Sequence, residues 1–343
     1  MSEFTRITNM PENIVFTITD ACNQKCLFCS GVHRDNKSAT YADPDSILTM
    51  DWLSKVNQIM VVGAGEALVH PRYCDFMFNI KKVSPKSKLK LYTNGLGLHG
   101  KRLHATLQTV SEIHISLNAV TKKTFEKIII NSSYERTIKN LKELSKNKGH
   151  IRVILSFVAL KQNIAETKKM IDLAAHYNFE SVIAMKGFQP GHNGLPKDSY
   201  LDDLSLYFNE AELKAYAASK GVKFLTNENY RQSLRGICHE PWKSLRFNNA
   251  KEGWDIGVCC RGILNLLIPY NKCHNIDKIW NSERIRFVRE TVNDADKIIA
   301  NKMCLLCRMR IDNEKNFIEK RELIFKNLRI KNGEFFPRLV VSD

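Results

Sequence analysis

The sequence predicts an α/β fold: a partial (β/α)6, TIM-like barrel followed by a small C-terminal cysteine-rich module. Three observations carry this. Between Asn13 and Lys186, short β-branched runs alternate with amphipathic stretches, the pattern of parallel strands joined by right-handed crossovers. Six such units suit an open barrel better than the eight of a closed one. Beyond Gly236 the long periodic runs stop, and six of the ten cysteines fall between there and Arg310.

In chain order, the predicted strands are 14–19, 58–63, 88–93, 112–117, 152–158 and 181–186, each rich in Val, Ile, Leu and Thr. The predicted helices between them are 71–83, 99–108, 122–148 with a break near Asn131, and 165–177. Gly, Pro and Asp mark 187–203 as a loop. A helix over 210–220 and a strand over 222–226 finish this half. The expected domains are a barrel core over 1–227, a metal-ordered module over 228–312, and a terminal helix (316–327) and tail over 313–343. No internal repeat is present.

The chain has 343 residues, enough to bury a sizeable core. Hydrophobic residues at 43% and charged residues at 26% exclude disordered, collagenous and coiled-coil classes. The N-terminus shows no basic segment followed by an apolar run, so no secretory signal is expected. The apolar stretches 151–160 and 263–269 are too short to span a bilayer. A cytoplasmic location follows as the expectation, and there clustered cysteines bind metal more often than they pair.

The sharpest spacing is Cys22-x3-Cys26-x2-Cys29, directly after the first predicted strand. Three thiolates so close on one loop can converge on one metal centre. Unrelated core cysteines are the plain alternative, but polar Asn23, Gln24 and Lys25 lie between the first two. Structural zinc needs a fourth ligand, for which His33 is the near candidate.

These residues, standing as CNQKCLFC, resemble the hallmark C-x3-C-x-aromatic-C of the radical SAM enzymes, with Phe28 in the aromatic position. The resemblance implies a [4Fe–4S] cluster on Cys22, Cys26 and Cys29. One iron would be left for the amino and carboxylate groups of S-adenosylmethionine, with Phe28 near the adenine. Further matches follow in family order. The run from Gly63 to Pro71 is similar to the G-G-E-P segment, with Ala64 and Ala67 where Gly and Pro are usual. In it Gly65 would let backbone approach the ligand, and Glu66 would accept from the methionyl ammonium. Read without the family, the same run is a strand-to-helix turn. Thr93-Asn94-Gly95 matches a frequent tripeptide. Ser116-Leu117-Asn118 is similar to S-L-D, with Asn118 for Asp. Ser116 and Ser156 would face the cofactor, and Lys186 the barrel mouth.

A second constellation comprises Cys238-His-Glu-Pro241-Trp242, Cys259-Cys260, Asn275 to Ser282, and Cys304-x2-Cys307. It resembles the SPASM/twitch extension found on many radical SAM enzymes. The implied use is one auxiliary [4Fe–4S] cluster on Cys238, one of Cys259 and Cys260, Cys304 and Cys307. Four thiolates are also a zinc set. Trp242 and Trp280 are expected to pack round this centre. Cys74 reads as core, and Cys273 as an alternate ligand or hydrogen donor.

Lys plus Arg exceed Asp plus Glu by 52 − 36 = 16. The surplus is scattered beside glutamates, as in Lys139 to Glu143, so solvated helix faces explain most of it and a nucleic-acid partner is not expected. A small-molecule substrate with an anionic group suits the remainder. The expected activity is dehydrogenation of such a molecule, a sugar or cyclitol among the candidates. It starts from a 5′-deoxyadenosyl radical and ends with the auxiliary cluster accepting an electron. An external donor such as flavodoxin or ferredoxin would supply the first electron. Lys186 and His192 are positional candidates for the base. The alternatives are peptide maturation, disfavoured by the 21 residues before Cys22, and epimerisation through Cys273. A zinc-stabilised nucleic-acid-binding protein is the alternative without chemistry.

Overall fold

Strand-forming and helix-forming runs alternate along the first two-thirds of the chain, and the structure turns that alternation into parallel β-α units. It is a computed structural model, describing residues 7–29, 39–187, 195–201, 204–226, 238–250, 253–258, 268–269, 275–294 and 297. The strands are β1 (Asn13–Thr17), β2 (Lys25–Cys26), β3 (Gln58–Val62), β4 (Lys88–Thr93), β5 (Glu112–Ser116) and β6 (Ile129–Ile130). They continue as β7 (Arg152–Ala159), β8 (Ser181–Lys186), β9 (Lys223–Thr226), β10 (Ser244–Ala250), β11 (Gly253–Gly257) and β12 (Ile268–Pro269). The helices are α1 (Tyr73–Val83), α2 (Gly100–Thr109), α3 (Lys122–Ile128), α4 (Tyr134–Asn147) and α5 (Thr167–His176). After them come α6 (Glu210–Ser219), α7 (Glu240–Lys243), α8 (Ile276–Trp280) and α9 (Glu283–Thr291).

Among the described residues, ten strands share one sheet in the order β12-β11-β10-β1-β3-β4-β5-β7-β8-β9. β1, β3, β4, β5, β7 and β8 are parallel and consecutive, the six units that the sequence predicts. β9 adds a parallel strand at one edge. At the other edge β10 runs parallel to β1, from Asn13↔Ser244 to Thr17↔Asn248, and β11 returns antiparallel to it. Sequence reading assigns β10 and β11 to a separate module over 228–312, yet they extend the barrel's own sheet. Packing explains why. Phe16 of β1 stands 5.3 Å from both Phe247 and Trp254, and Trp52 stacks on Phe247 at 5.6 Å, so strand and hairpin bury one aromatic cluster. Two features went unread in the sequence: this pairing, and the 3-10 turns Pro44–Thr49 and Asp51–Lys55 that carry Trp52.

The predicted break in helix 122–148 is real. α3 ends at Ile128, Asn131 takes the left-handed conformation (φ 57°), and Ser133 caps α4 by accepting from the Arg136 N–H. Between the two helices β6 pairs antiparallel with β2. The predicted terminal helix 316–327 lies outside the described residues.

Alternation separates the sheet's faces. Ile14, Phe16, Leu89, Leu91, Ile113, Ile115, Val153 and Leu155 are all buried on the helix side, where Phe76 of α1 meets Phe16 at 5.7 Å. The opposite, inner face carries Thr17, Lys90, Tyr92, Glu112, His114, Ser116 and Ser156. At its floor, by the strands' N-terminal ends, Glu112 is bonded to Lys90 (2.9 Å), His114 (2.7 Å) and Arg152 (2.8 Å). Burial works against the charge on Glu112, but the bonds to His114 and Lys90 outweigh it and hold the carboxyl at about 2. Arg152 also bonds Glu180, which faces Lys223. No helix of the described residues is long and apolar enough to cross a membrane.

Candidate active site

The cysteine loop leaves the C-terminal end of β1, the end at which parallel barrels gather their chemistry. Its conformation is fixed by neighbours. Cys26 lies in β2, opposite Ile129, and the Leu27 N–H donates to the Ile128 carbonyl at 3.0 Å. Gln24, 4% exposed, donates from Nε2 to Ser132 Oγ at 2.8 Å. The Cys29 N–H donates to the Cys26 carbonyl at 3.1 Å and closes a tight turn. Cys22, Cys26 and Cys29 are all half-buried. Burial pushes the Cys22 thiol up to about 11 despite a hydrogen bond from the Gln24 backbone. Burial, then repulsion from Cys29 and Cys22, pushes Cys26 up further. Phe28 is half-buried and packs against the core.

The turn after β3 packs against the same loop. The Gly65 N–H donates to the Thr19 carbonyl (3.2 Å) and the Glu66 N–H to the Ala21 carbonyl (2.7 Å). A Cβ on Gly65 would stand 1.8 Å from the Ala21 oxygen, so glycine is required by chain meeting chain. Glu66 is 3% exposed, and its oxygens accept from the Leu68 N–H (3.0 Å), the Thr93 hydroxyl (2.7 Å) and the Asn94 N–H (2.7 Å). Sequence reading gives Glu66 a ligand ammonium; the structure gives it three protein donors that tie β3 to β4. Asn94 donates from Nδ2 to Asn23 Oδ1 at 2.8 Å and so ties β4 to the cysteine loop.

Ser116, the last residue of β5, sits abreast of Ser156 in the middle of β7, and Ser156 Oγ donates to the Ile115 carbonyl at 3.5 Å. Asn118 has a definite structural role: its Oδ1 accepts from the Val158 N–H at 2.9 Å and its carbonyl accepts from Asn163 at 2.8 Å. Glu166 braces the same loop through the Val120 and Thr121 N–H groups at 2.7 and 3.1 Å. Lys186 ends β8, half-buried. A cleft of about 560 Å³ lined by Glu12, Lys55, Lys86 and Lys88 opens at the strands' N-terminal ends, away from the cysteine loop.

Residues 16–174 match the family model described as the radical SAM superfamily. Over these residues the chain is similar to a radical SAM domain. The family implies a [4Fe–4S] cluster and S-adenosylmethionine, and three half-buried cysteines on one loop are a ligand set that fits the cluster. Among the described residues no three His, Cys, Asp or Glu side chains close round a single ion. Thiolates of a cluster bind different irons and stand farther apart.

The radical SAM domain is similar to a "Probable GTP 3',8-cyclase" of Saccharolobus islandicus, 27% identical over 176 residues, covering 50% of this chain and 55% of that protein. It is also similar to one of Metallosphaera sedula, 26% identical over 177 residues, covering 50% and 54%. The chain thus spans about half the length of the curated relatives it matches. Among solved structures, Streptococcus suis SuiB superposes with TM-score 0.64 at 15% identity, covering 82% of this chain and 68% of that one. The anSMEcpe structure with bound AdoMet superposes at 0.60 and 12% identity, covering 92% and 96%. Both share the fold.

In the second constellation, the Cys238 N–H donates to Asn293 Oδ1 (2.8 Å) and Asn293 Nδ2 donates to the Cys238 carbonyl (3.0 Å). Arg289, over the Trp280 ring at 4.3 Å, donates from Nε to the Pro241 carbonyl at 2.9 Å. The segment around α8 and α9 therefore holds the Cys238 motif, and Trp280 is buried there beneath the Arg289 guanidinium. Cys259, Cys260, Cys273, Cys304, Cys307, His33 and His192 lie outside the described residues. Asn23, Gln24, Asn293 and Glu166 escaped sequence reading because each acts through a partner far along the chain. Only the adjacency of Asn23 and Gln24 to Cys22 hints at them.

Proposed function

We propose that the chain is a radical SAM enzyme that takes hydrogen from a small-molecule substrate and, in net, dehydrogenates it. The observation that carries the reading is the three-thiol loop at the C-terminal end of β1, braced by Glu66, Asn94 and β6. Cys22, Cys26 and Cys29 would hold the cluster. When bound, the cluster and S-adenosylmethionine supply a reductive cleavage that yields a 5′-deoxyadenosyl radical. The chain's own part is positional. Gly65 and Glu66 lock the loop against β3 and β4, and Ser116 and Ser156 offer hydroxyls at the mouth. The barrel wall would keep the reacting carbon in place and water out.

Cys238, clamped by Asn293, with Cys259 or Cys260, Cys304 and Cys307 would hold an auxiliary cluster as the electron acceptor. A flavodoxin or ferredoxin is the proposed external donor. A second reading, ring closure on a nucleotide, is favoured by the relatives named as GTP cyclases. The two readings separate by mass. With S-adenosylmethionine and a reductant, dehydrogenation gives a product two hydrogens lighter than its substrate. Ring closure that returns the electron and a proton leaves the mass unchanged. A product of unchanged mass overturns the dehydrogenase reading.

A further inference from the structure

The inner face of the sheet carries a carboxylate that the protein does not use. Asp255 of β11 is half-buried, and among the described residues its side chain has no hydrogen-bond or ion-pair partner. Folded chains pair the carboxylates they bury, because a desolvated charge without a partner is costly. Burial also pushes the Asp255 carboxyl up.

Its direction is fixed by what flanks it. Trp254 and Ile256 are 1% and 0% exposed in the helix-side core, so alternation turns Asp255 to the inner face. A slip of one residue would bury the carboxylate among Phe16, Phe76 and Phe247.

The register gives its company. Asp255 lies opposite Asn248, and Asn248 opposite Thr17, the last residue of β1. These three stand abreast where the chain departs for Cys22. Arg246, two residues before Asn248 on the same face, donates from Nη1 to Thr17 Oγ1 at 3.2 Å. One wall of the mouth therefore presents a guanidinium, an amide and an unused carboxylate within two rows. A guanidinium matches a phosphate. A carboxylate accepts from ring N–H groups or sugar hydroxyls. A nucleotide carries both, the phosphate at one end and a base with ring N–H groups at the other, and a chain of net charge +16 attracts such an anion.

We propose that Arg246, Asn248 and Asp255 form a substrate-recognition wall for a phosphorylated nucleoside. Arg246 takes the phosphate, and Asp255 takes a ring N–H or ribose hydroxyl. This rests on the reading of the chain as a radical SAM enzyme acting on a small molecule.

The test is anaerobic equilibrium dialysis of the reconstituted full chain against GTP, with inorganic phosphate as the second probe. Wild type is expected to retain GTP. Asp255→Asn should weaken GTP about tenfold or more and leave phosphate retention as it was, since a lost partner leaves polar groups unpaired. Arg246→Gln should weaken both probes. Should Asp255→Asn fail to fold, Asp255→Glu keeps the charge one methylene out of place and should weaken GTP by a smaller factor. Retention of GTP by neither wild type nor variant, or equally by both, overturns the proposal. The underlying reading is tested apart from it, by 5′-deoxyadenosine released from wild type with S-adenosylmethionine and dithionite alone. If that appears and GTP is not retained, only the recognition wall falls.

Discussion

At the scale of single residues, Gly65 and Glu112 show how differently two positions respond to the same question. Gly65 sits where two backbones cross, and a methyl there would lie 1.8 Å from the Ala21 oxygen. Gly65→Ala should destabilise the fold by about 3 kcal/mol, at the upper end of overpacking costs. Urea unfolding checks this, and the variant should also take up less iron, because Ala21 precedes Cys22. Unchanged stability would mean the crossing relaxes freely. Glu112 is the acid-sensitive point. Its folded value, about 2, lies below the ordinary 4.5, so its contribution to stability is full above 4.5 and is lost as pH falls from there through 2. Glu112→Gln should lose about 3 kcal/mol at pH 7, having left the half-buried Lys90 without its carboxylate. It should also show a shallower loss of urea midpoint between pH 4.5 and 3 than wild type. Equal slopes would remove Glu112 from the account. The Cys22-x3-Cys26-x2-Cys29 spacing was legible in the sequence because its partners are local. The use of Glu66 was not, since its three donors include groups on another strand.

At the scale of elements, the ribbon of β2 and β6 links the helix break at Asn131 to the cysteine loop. The sequence reveals the break through Asn131 and the capping Ser133, but not what it serves. Pairing between residues about a hundred positions apart leaves no periodic trace. Asn131→Val, forcing a β-branched residue to φ 57°, should cost about 1–2 kcal/mol and loosen the loop. Hydrogen exchange at Leu27, whose N–H is bonded to Ile128, reads that directly. Exchange no faster than in wild type would show that the ribbon does not depend on the left-handed turn. The six parallel strands were legible for the opposite reason, because period-2 and period-3.6 patterns are local. The β10 pairing with β1 was hidden because its partners stand 231 positions apart, as Thr17 and Asn248 do, and became visible only through Phe247 and Trp254.

At the scale of the whole molecule, the barrel sheet and the hairpin β10–β11 share one aromatic core. The expected auxiliary centre begins at Cys238, close in sequence to that hairpin. Anaerobically reconstituted protein with both clusters should hold about eight irons per chain, and about four would remove the auxiliary one. The charge surplus, weak in the sequence because it is scattered, gains a focus in Arg246 on the inner wall. Cys22, Cys26 and Cys29 are proposed to hold the centre that cleaves S-adenosylmethionine. The most direct measurement is 5′-deoxyadenosine released under dithionite by wild type and by Cys26→Ala. Wild type should release it and the variant should not; release by both would mean that Cys26 is not a ligand of that centre.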